Sequence, residues 1–253
     1  MSVTEFNQQI DTDTEQIARE ELAASFRWAA RWGMHEAIAN HFSYVISTDP
    51  CRFLVNPSGA HFARVRASDL IVVEAGNKSE MERPEVDPTA FCIHSALHLQ
   101  VPHARCIMHV HPRYATALAS VKDRSMPPID QNTARFFKRV HVDEGFGGMG
   151  MGDEANRLAE NLANKPIVLM GNHGVASLGA TIARALDELY YYERAAETLM
   201  IALASGRELD VISDAVAELT AQQWEQYLVE GSDRQHLDQL LHILDDEEPD
   251  FRD

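Results

Sequence analysis

The chain has 253 residues, of which 45% are hydrophobic and 24% charged, and this composition indicates a folded protein with a full core and excludes disordered and fibrous classes. Basic residues number 22 against 39 acidic ones, and the net charge of −17 argues against nucleic acid or an anionic membrane as a partner. The polar, acidic start lacks a signal pattern, and no stretch reaches the roughly 20 apolar residues of a membrane span. We therefore expect a cytoplasmic protein.

The first half of the chain predicts a helix, a hairpin and a third strand. Apolar residues recur at helical spacing over about residues 13–32, which predicts an amphipathic helix. The segments HFSYVIS and RFLVNP are rich in β-branched and aromatic residues and predict a hairpin, and ASDLIVVE predicts another strand. Residues 75–88 are polar with two prolines and are predicted to be an exposed loop before a helix at about 89–99.

The second half alternates strands with helices and ends in acidic residues. ARCIMHVHP and KPIVLMGNHGVASLG predict strands, YATALAS and DEANRLAENLAN predict helices, and residues 180–206 and 209–230 predict two long helices. Hairpins beside helices favour one α/β domain with a mixed sheet, at about residues 15–230. We expect residues 1–14 to be a flexible segment, and residues 231–253 to be a helix end followed by a solvated acidic tail.

Three histidines of the twelve form a pattern that suggests a metal site. His109 and His111 are two positions apart on a predicted strand, so both rings face the same side. His173 stands in a glycine-flanked turn, Gly-Asn-His-Gly, where another predicted strand ends. Three neutral imidazoles with an open fourth position are typical of catalytic Zn²⁺ or another first-row divalent ion.

Two further histidines lie one helical turn apart in PTAFCIHSALH. The metallopeptidase pattern HExxH is absent because residue 95 is serine. We expect His94 to face the site, where it contacts substrate or a metal ligand, and His98 to pack in the core. The remaining histidines stand singly and need no functional explanation: His35, His41, His61, His103, His141, His236 and His242.

Several stretches together resemble the class II aldolase/adducin family: ANHFSYVI with RFLVNPSG, PTAFCIHSALHLQVPHARCIMHVHP, and VLMGNHG with the helix DELYYYERAAETL. The resemblance implies a three-layer α/β/α sandwich around a mainly antiparallel mixed sheet, assembled as a homotetramer. It implies that His109, His111 and His173 bind a divalent metal, usually Zn²⁺ and otherwise Mn²⁺, Fe²⁺ or Co²⁺. It also implies that Asn40 and Gly59 line the substrate pocket.

The chain departs from the sugar-phosphate aldolases of that family at three places. Those enzymes carry a glutamate, which serves as general acid/base and as a metal ligand in the resting site, where this chain has Ala90. The hydroxyl residues that help hold the substrate phosphate are replaced by Pro88-Thr89 and Ala37. These replacements argue against a phosphorylated sugar as the substrate.

The missing base favours one reaction class over another. Decarboxylation leaves a carbanion without removal of a proton, and a metal can stabilise the resulting enolate or phenolate. Family members with a small residue at the Ala90 position decarboxylate hydroxylated aromatic acids. We therefore predict a divalent-metal-dependent carbon–carbon lyase for a small, non-phosphorylated hydroxy or keto acid.

Two alternatives stay open from the sequence. One is a retro-aldol cleavage in which Glu85, Asp87 or His94 serves as the base. The other is a non-catalytic interaction module of the adducin type. Arg113 and Arg135 are candidates to hold a substrate carboxylate, because a guanidinium binds a carboxylate through paired hydrogen bonds.

Overall fold

The computed structural model describes residues 3–148, 153–160, 162 and 164–253, and of residues 3–13 and 153 it describes the backbone alone. The helices are α1 Val3–Arg31, α2 Pro88–Gln100, α3 Arg113–Ala119, α4 Gln131–Arg135, α5 Asp153–Glu160, α6 Ile182–Ala204, α7 Asp214–Val229 and α8 Ser232–Glu247. The strands are β1 His41–Thr48, β2 Cys51–Val55, β3 Ile71–Glu74, β4 Cys106–Val110, β5 Val140–Asp143, β6 Ile167–Met170 and β7 Gly174–Gly179. None of these helices combines the length and the apolar character needed to cross a membrane.

The seven strands form one sheet in the order β3-β2-β1-β4-β7-β6-β5. Every neighbouring pair is antiparallel except β5 and β6, which run parallel. The predicted mixed, mainly antiparallel sheet is thus confirmed. Its central strand, β4, is also the strand that carries His109.

Side chains alternate across β4 and separate the two helical layers. Met108 and Val110 pack in the core that contains α1, α6 and α8. Ile107 faces the opposite layer, where α2 and α5 supply the apolar partners, and His109 shares that face because strand side chains alternate. The structure is the predicted three-layer α/β/α sandwich.

Some elements differ from those predicted. The single strand expected around residues 165–179 is two antiparallel strands, β6 and β7, joined by the turn that contains His173. Helix α1 begins at Val3, within the segment that was expected to be flexible, and residues 1 and 2 lie outside the described residues. The domain limits at residues 15 and 230 stay predictions.

The prediction of a solvated acidic tail is wrong. The chain continues as α8 and then as a 3-10 helix, Pro249–Arg252, in which Phe251 is fully buried. Arg27 of α1 donates hydrogen bonds to Glu248 at 2.9 Å and Asp250 at 3.0 Å. The acidic end therefore docks on α1, because that helix presents a buried guanidinium to its carboxylates.

Candidate metal centre

Two histidines of the centre come from the end of β4. His109 lies opposite His41 of β1 in the sheet, and His111 follows the last residue of β4. The Nδ1 of His109 donates to the carbonyl of Val175 at 3.0 Å, and the Nδ1 of His111 donates to the Glu36 carboxylate at 2.7 Å. These bonds turn the two Nε2 atoms toward each other, 3.0 Å apart.

The third histidine, His173, is held by the turn between β6 and β7. Asn172 adopts a left-handed conformation with φ of 58°, which asparagine tolerates better than most residues. A Cβ at Gly174 would lie 2.6 Å from Cδ2 of His111 and 2.7 Å from the carbonyl oxygen of Val110, so only glycine fits there. The His173 ring centroid consequently lies 4.9 Å from those of His109 and His111.

The charge state of these rings fits a bound cation. Burial lowers the pKa of His109 well below its ordinary value and also lowers the pKa of His173. The neutral His109 ring has one N–H, which Nδ1 donates to the Val175 carbonyl, so its Nε2 presents a lone pair 3.0 Å from the Nε2 of His111. A lone pair in this position can bind a cation.

The donor set indicates the class of cation that would bind. One nitrogen from each of His109, His111 and His173 lies within 4.8 Å of the other two. Three imidazole nitrogens suit Zn²⁺ and other first-row divalent ions. The residues present therefore fit the metal that the sequence predicted, although they do not select one ion.

A cleft opens beside His173, between the segment after β5 and helix α5. Phe146 is half exposed there, and its ring centroid lies 6.2 Å from that of His173. Arg157 pairs with Asp143 on the opposite wall, at 3.0 Å from its Nη2 to a carboxylate oxygen. These residues and His173 line a cavity of about 10 Å³, roughly the size of one water molecule.

A second group of histidines is buried between β1 and α2. His41 Nδ1 lies 2.6 Å from His94 Nε2, and the Nδ1 of His94 contacts the hydroxyl of Ser43. The same hydroxyl lies 2.7 Å from His98 Nε2, and His98 Nδ1 lies 2.7 Å from the carbonyl of Ala104. Burial lowers the pKa of His41 and of His98 to about 4 and lowers that of His94 as well, so all three rings are neutral near pH 7.

The profile of the family described as Class II Aldolase and Adducin N-terminal domain matches residues 20–200. The chain belongs to this family. A class 2 aldolase-family protein of Caulobacter vibrioides is 29% identical over 209 residues, which are 82% of this chain and 80% of the relative. Decarboxylase NovR of Streptomyces niveus is 26% identical over 210 residues, which are 82% of this chain and 77% of that protein.

The fold agrees with the family assignment. The crystal structure of an aldolase II superfamily protein from Pseudomonas syringae superposes with a TM-score of 0.85 at 27% identity, covering 94% of this chain and 96% of that chain. Membership of the class II aldolase/adducin family, inferred above from local sequence, is thereby confirmed.

Ala90, which replaces the glutamate of the sugar-phosphate aldolases, lies close to the buried histidine group. Ala90 is buried one turn before His94 on α2. Asp87 caps this helix, and its carboxylate accepts hydrogen bonds from the backbone N–H groups of Thr89 and Ala90, at 2.9 Å each. Glu85 pairs with Arg83 at 3.0 Å. Both proposed substitute carboxylates are therefore already committed to other partners.

The contacts of His94 differ from those that we expected. Both of its ring nitrogens are occupied, one by His41 and one by Ser43. His98 is not a simple packing residue either, because it links Ser43 to the backbone of Ala104. No free ring nitrogen of His94 is left for a substrate in this arrangement, and the direct catalytic role of His94 stays a prediction.

The two residues implied for the substrate pocket lie in different settings. Asn40 is buried next to His41, and its Oδ1 accepts from the N–H of Glu36 at 2.6 Å, while its Nδ2 has no partner in the described parts of the chain. Gly59 lies in a turn after β2, with φ of 78° and open space around its Cα. Asn40 is thus tied to the metal centre through Glu36, and the role of Gly59 stays a prediction.

Neither candidate arginine lines the cleft beside His173. Arg113 starts α3, is exposed, and lines a separate cleft with Trp32 and Glu193. Arg135 is fully buried and pairs with Asp187 at 2.7 Å and Glu188 at 3.1 Å. Only its Nη2 is paired with these carboxylates, whereas Nε and Nη1 are buried without a partner in the described residues, so the substrate contact of Arg135 stays a prediction.

His41 is the site residue that sequence reasoning missed. It was set aside as a single histidine, although the alternation His41-Phe42-Ser43 places its side chain and that of Ser43 on the same face of a strand. Its neighbour His109 is supplied by the β1–β4 register, which brings together residues 68 positions apart. The alternation was visible in the sequence, but the pairing was not.

Proposed function

We propose that this class II aldolase-family protein is a divalent-metal-dependent carbon–carbon lyase for a small, non-phosphorylated hydroxy or keto acid, with decarboxylation as the favoured reaction. The observation that carries the proposal is the convergence of three imidazoles beside a helix that has Ala90 in place of an acid. A divalent cation bound there would stabilise the negative charge left on an enolate or phenolate oxygen when CO₂ departs. The similarity to a protein named as a decarboxylase supports this reaction type.

Each residue of the centre has a distinct task in this proposal. His109, His111 and His173 would hold the metal, and Glu36 keeps the His111 ring in the tautomer that leaves Nε2 free. Ala90 has no group that can accept a proton. A reaction that breaks its carbon–carbon bond without a base is therefore favoured over retro-aldol cleavage, and the commitments of Asp87 and Glu85 support the same choice.

Other parts of the proposal depend on the family resemblance. We place Asn40 and Gly59 at the substrate pocket, with the buried Nδ2 of Asn40 as the donor still available. Arg113, which is exposed two residues after His111, stays a proposed contact for a substrate carboxylate. In the alternative of an adducin-like interaction module, the three converging histidines would have no purpose, which favours an enzyme.

We also propose a homotetramer. Of the apolar residues on the two long helices, Leu186, Leu189, Tyr192 and Leu199 are buried within the single chain. In contrast, Leu219 and Tyr227 on α7 are 53% and 61% exposed, and in the proposed assembly a partner subunit would cover them. Sedimentation should show a species near four times 28.3 kDa, and a stable monomer at micromolar concentration would refute the assembly.

The direct test is a substrate screen on metal-loaded protein. Protein purified without chelator is assayed for bound metal and then supplied with hydroxybenzoic acids, aliphatic hydroxy and keto acids, and aldol products. Release of CO₂ supports the favoured reaction, and aldehyde release without CO₂ supports retro-aldol cleavage. Absence of both products together with absence of bound metal would support the interaction module.

A substitution at position 90 separates the two lyase reactions. Ala90→Glu should lower kcat for CO₂ release at least tenfold, because in this family a glutamate there competes with the substrate for the metal. Ala90→Gln has the same bulk without the charge and serves as the control. A gain of aldol cleavage in Ala90→Glu, with no CO₂ from any acid tested, would overturn the proposal.

A further inference from the structure

The buried histidine group has a fixed direction of hydrogen bonding, and the direction starts at the backbone. The Ala104 carbonyl can only accept, so the Nδ1 of His98 must donate to it, at 2.7 Å. Because the His98 ring is neutral, its Nε2 is bare. That nitrogen accepts the hydrogen of the Ser43 hydroxyl at 2.7 Å.

The direction of this hydrogen bond fixes the directions of the next ones in the series, as far as His41. Ser43 has one hydrogen, which His98 receives, so its oxygen must accept from Nδ1 of His94. The Nε2 of the neutral His94 is therefore bare and accepts from Nδ1 of His41 at 2.6 Å. Every hydrogen in the chain is committed, and the Nε2 of His41 is left as a lone-pair acceptor.

His41 lies at the metal centre but outside the ligand set. Its ring centroid is 5.0 Å from that of His109, a distance close to the 4.8 Å between His109 and His111. Its nitrogens do not belong to the group that converges within 4.8 Å, which consists of the other three histidines. Its Nε2 makes no hydrogen bond with any residue that the structure describes.

We propose that His41 contacts the substrate, with its Nε2 accepting a hydrogen bond from a substrate hydroxyl, and that His94, Ser43 and His98 are positioning residues that hold this tautomer. The inference rests on the proposed function and narrows its substrate class to hydroxy acids. A keto group has no hydrogen to donate, so a ring that offers only a lone pair at this position disfavours it. The opposite tautomer would present an N–H and favour the keto acid.

The tautomer can be measured directly. In protein labelled with ¹⁵N-histidine, long-range proton–nitrogen NMR spectra distinguish an imidazole that carries its hydrogen on Nδ1 from one that carries it on Nε2. We expect His41, assigned by its loss in His41→Phe, to be the pure Nδ1–H form in both metal-free and zinc-loaded protein. A wild-type ring with its hydrogen on Nε2 would overturn the proposal.

Two serine substitutions test the positioning chain. Ser43→Ala removes the acceptor that fixes His94, so His41 should become a mixture of both tautomers. Ser95→Ala is the matched control, because Ser95 is also buried, follows His94 on α2, and has a hydroxyl without a partner in the described residues. If the His41 tautomer is unchanged in both variants, the positioning role of Ser43, His94 and His98 is refuted. If Ser43→Ala does not fold, the proposal is tested by the wild-type tautomer and by the binding experiment below.

The substrate contact is tested with glycolate and methoxyacetate as probes on zinc-loaded protein. His41→Phe should weaken glycolate binding about tenfold, the worth of one hydrogen bond, and leave methoxyacetate binding unchanged. Ser95→Ala should bind both probes like the wild type. Equal glycolate affinity in His41→Phe and wild type would refute the contact. Failure of zinc to bind at all would refute the proposed function instead, and the metal-free tautomer measurement would still stand.

Discussion

Two pairs of histidines in this protein have almost the same geometry and opposite chemistry. The Nε2 atoms of His109 and His111 are 3.0 Å apart, and those of His35 and His61 are 3.1 Å apart. The two pairs differ in the hydrogen-bond partners of their Nδ1 atoms. The Nδ1 of His61 accepts the backbone N–H of Ala63 at 3.2 Å, so its hydrogen lies on Nε2 and is donated to His35.

The partner of the far nitrogen therefore decides what a pair of imidazoles can do. For the pair on β4, the Val175 carbonyl and the Glu36 carboxylate both draw the hydrogen away from the space between the rings. For the pair near the end of α1, a backbone donor pushes the hydrogen into that space. The first pair fits a cation, and the second is a hydrogen bond at the same distance.

The largest expected effect comes from removing one histidine of each pair. His109→Ala should lose its bound metal almost completely, and lyase turnover with it, because two imidazoles hold a divalent ion far less tightly than three. His61→Ala should keep the wild-type metal content. Inductively coupled plasma analysis with circular dichroism as the folding control measures both, and equal metal loss in the two variants would contradict the distinction.

The same contrast applies to the two arginines singled out from the sequence. Arg135→Leu removes one partner from each of two buried carboxylates, although Asp187 keeps His236 and Glu188 keeps two other arginines. We expect it to lower the free energy of unfolding by about 1.5–3 kcal/mol, the worth of a hydrogen bond to a charged group. Arg113→Leu, at an exposed position, should change it by less than about 0.5 kcal/mol. Urea unfolding of both variants gives the two free energies. Similar losses of stability in the two variants would show that burial does not determine how much each arginine contributes.

The pH dependence of that loss follows from the carboxylates. Burial raises the pKa of Asp187, but the hydrogen bond from His236 and the charge of Arg135 outweigh it and leave the pKa lowered. A lowered folded-state pKa contributes stability that is complete above the unfolded pKa of about 4 and is lost as the pH falls below it. The stability gap between wild type and Arg135→Leu should accordingly narrow below about pH 4, and a gap that widens in acid would contradict the pairing.

A smaller effect is expected from the carboxylate behind His111. Glu36→Gln can rotate to accept from Nδ1 but lacks the negative charge, and loss of such supporting partners costs about 10- to 100-fold in metal affinity. Glu82→Gln, at an exposed position of the 3-10 helix Lys78–Glu82 that precedes α2, is the matched control. Competition with a zinc chelator measures the affinities, and a Glu36→Gln variant that binds zinc like the control would limit Glu36 to a surface contact.

Local patterns predicted the parts of this site that depend on neighbours in sequence. The two-residue spacing of His109 and His111 and the glycines around His173 were sufficient to identify the candidate ligands. The role of His41 was missed because it depends on the register with β4, and that of Arg135 because its partners lie 52 and 53 residues away on α6. The acidic end was misjudged for the same reason, since its partner, Arg27, is on the first helix.

Gly174 has a consequence for how related sequences can be sorted. Any side chain there would collide with the His111 ring and the Val110 carbonyl, so the size of the residue after the third histidine limits where the His111 ring can lie. We expect a relative that retains the three histidines but has a larger residue at this position to lack the metal centre. Its sequence would contain the ligands, but the added side chain would leave no room for them to converge. The tetrapeptide Gly-Asn-His-Gly is therefore a more discriminating marker of a working centre than the histidines alone.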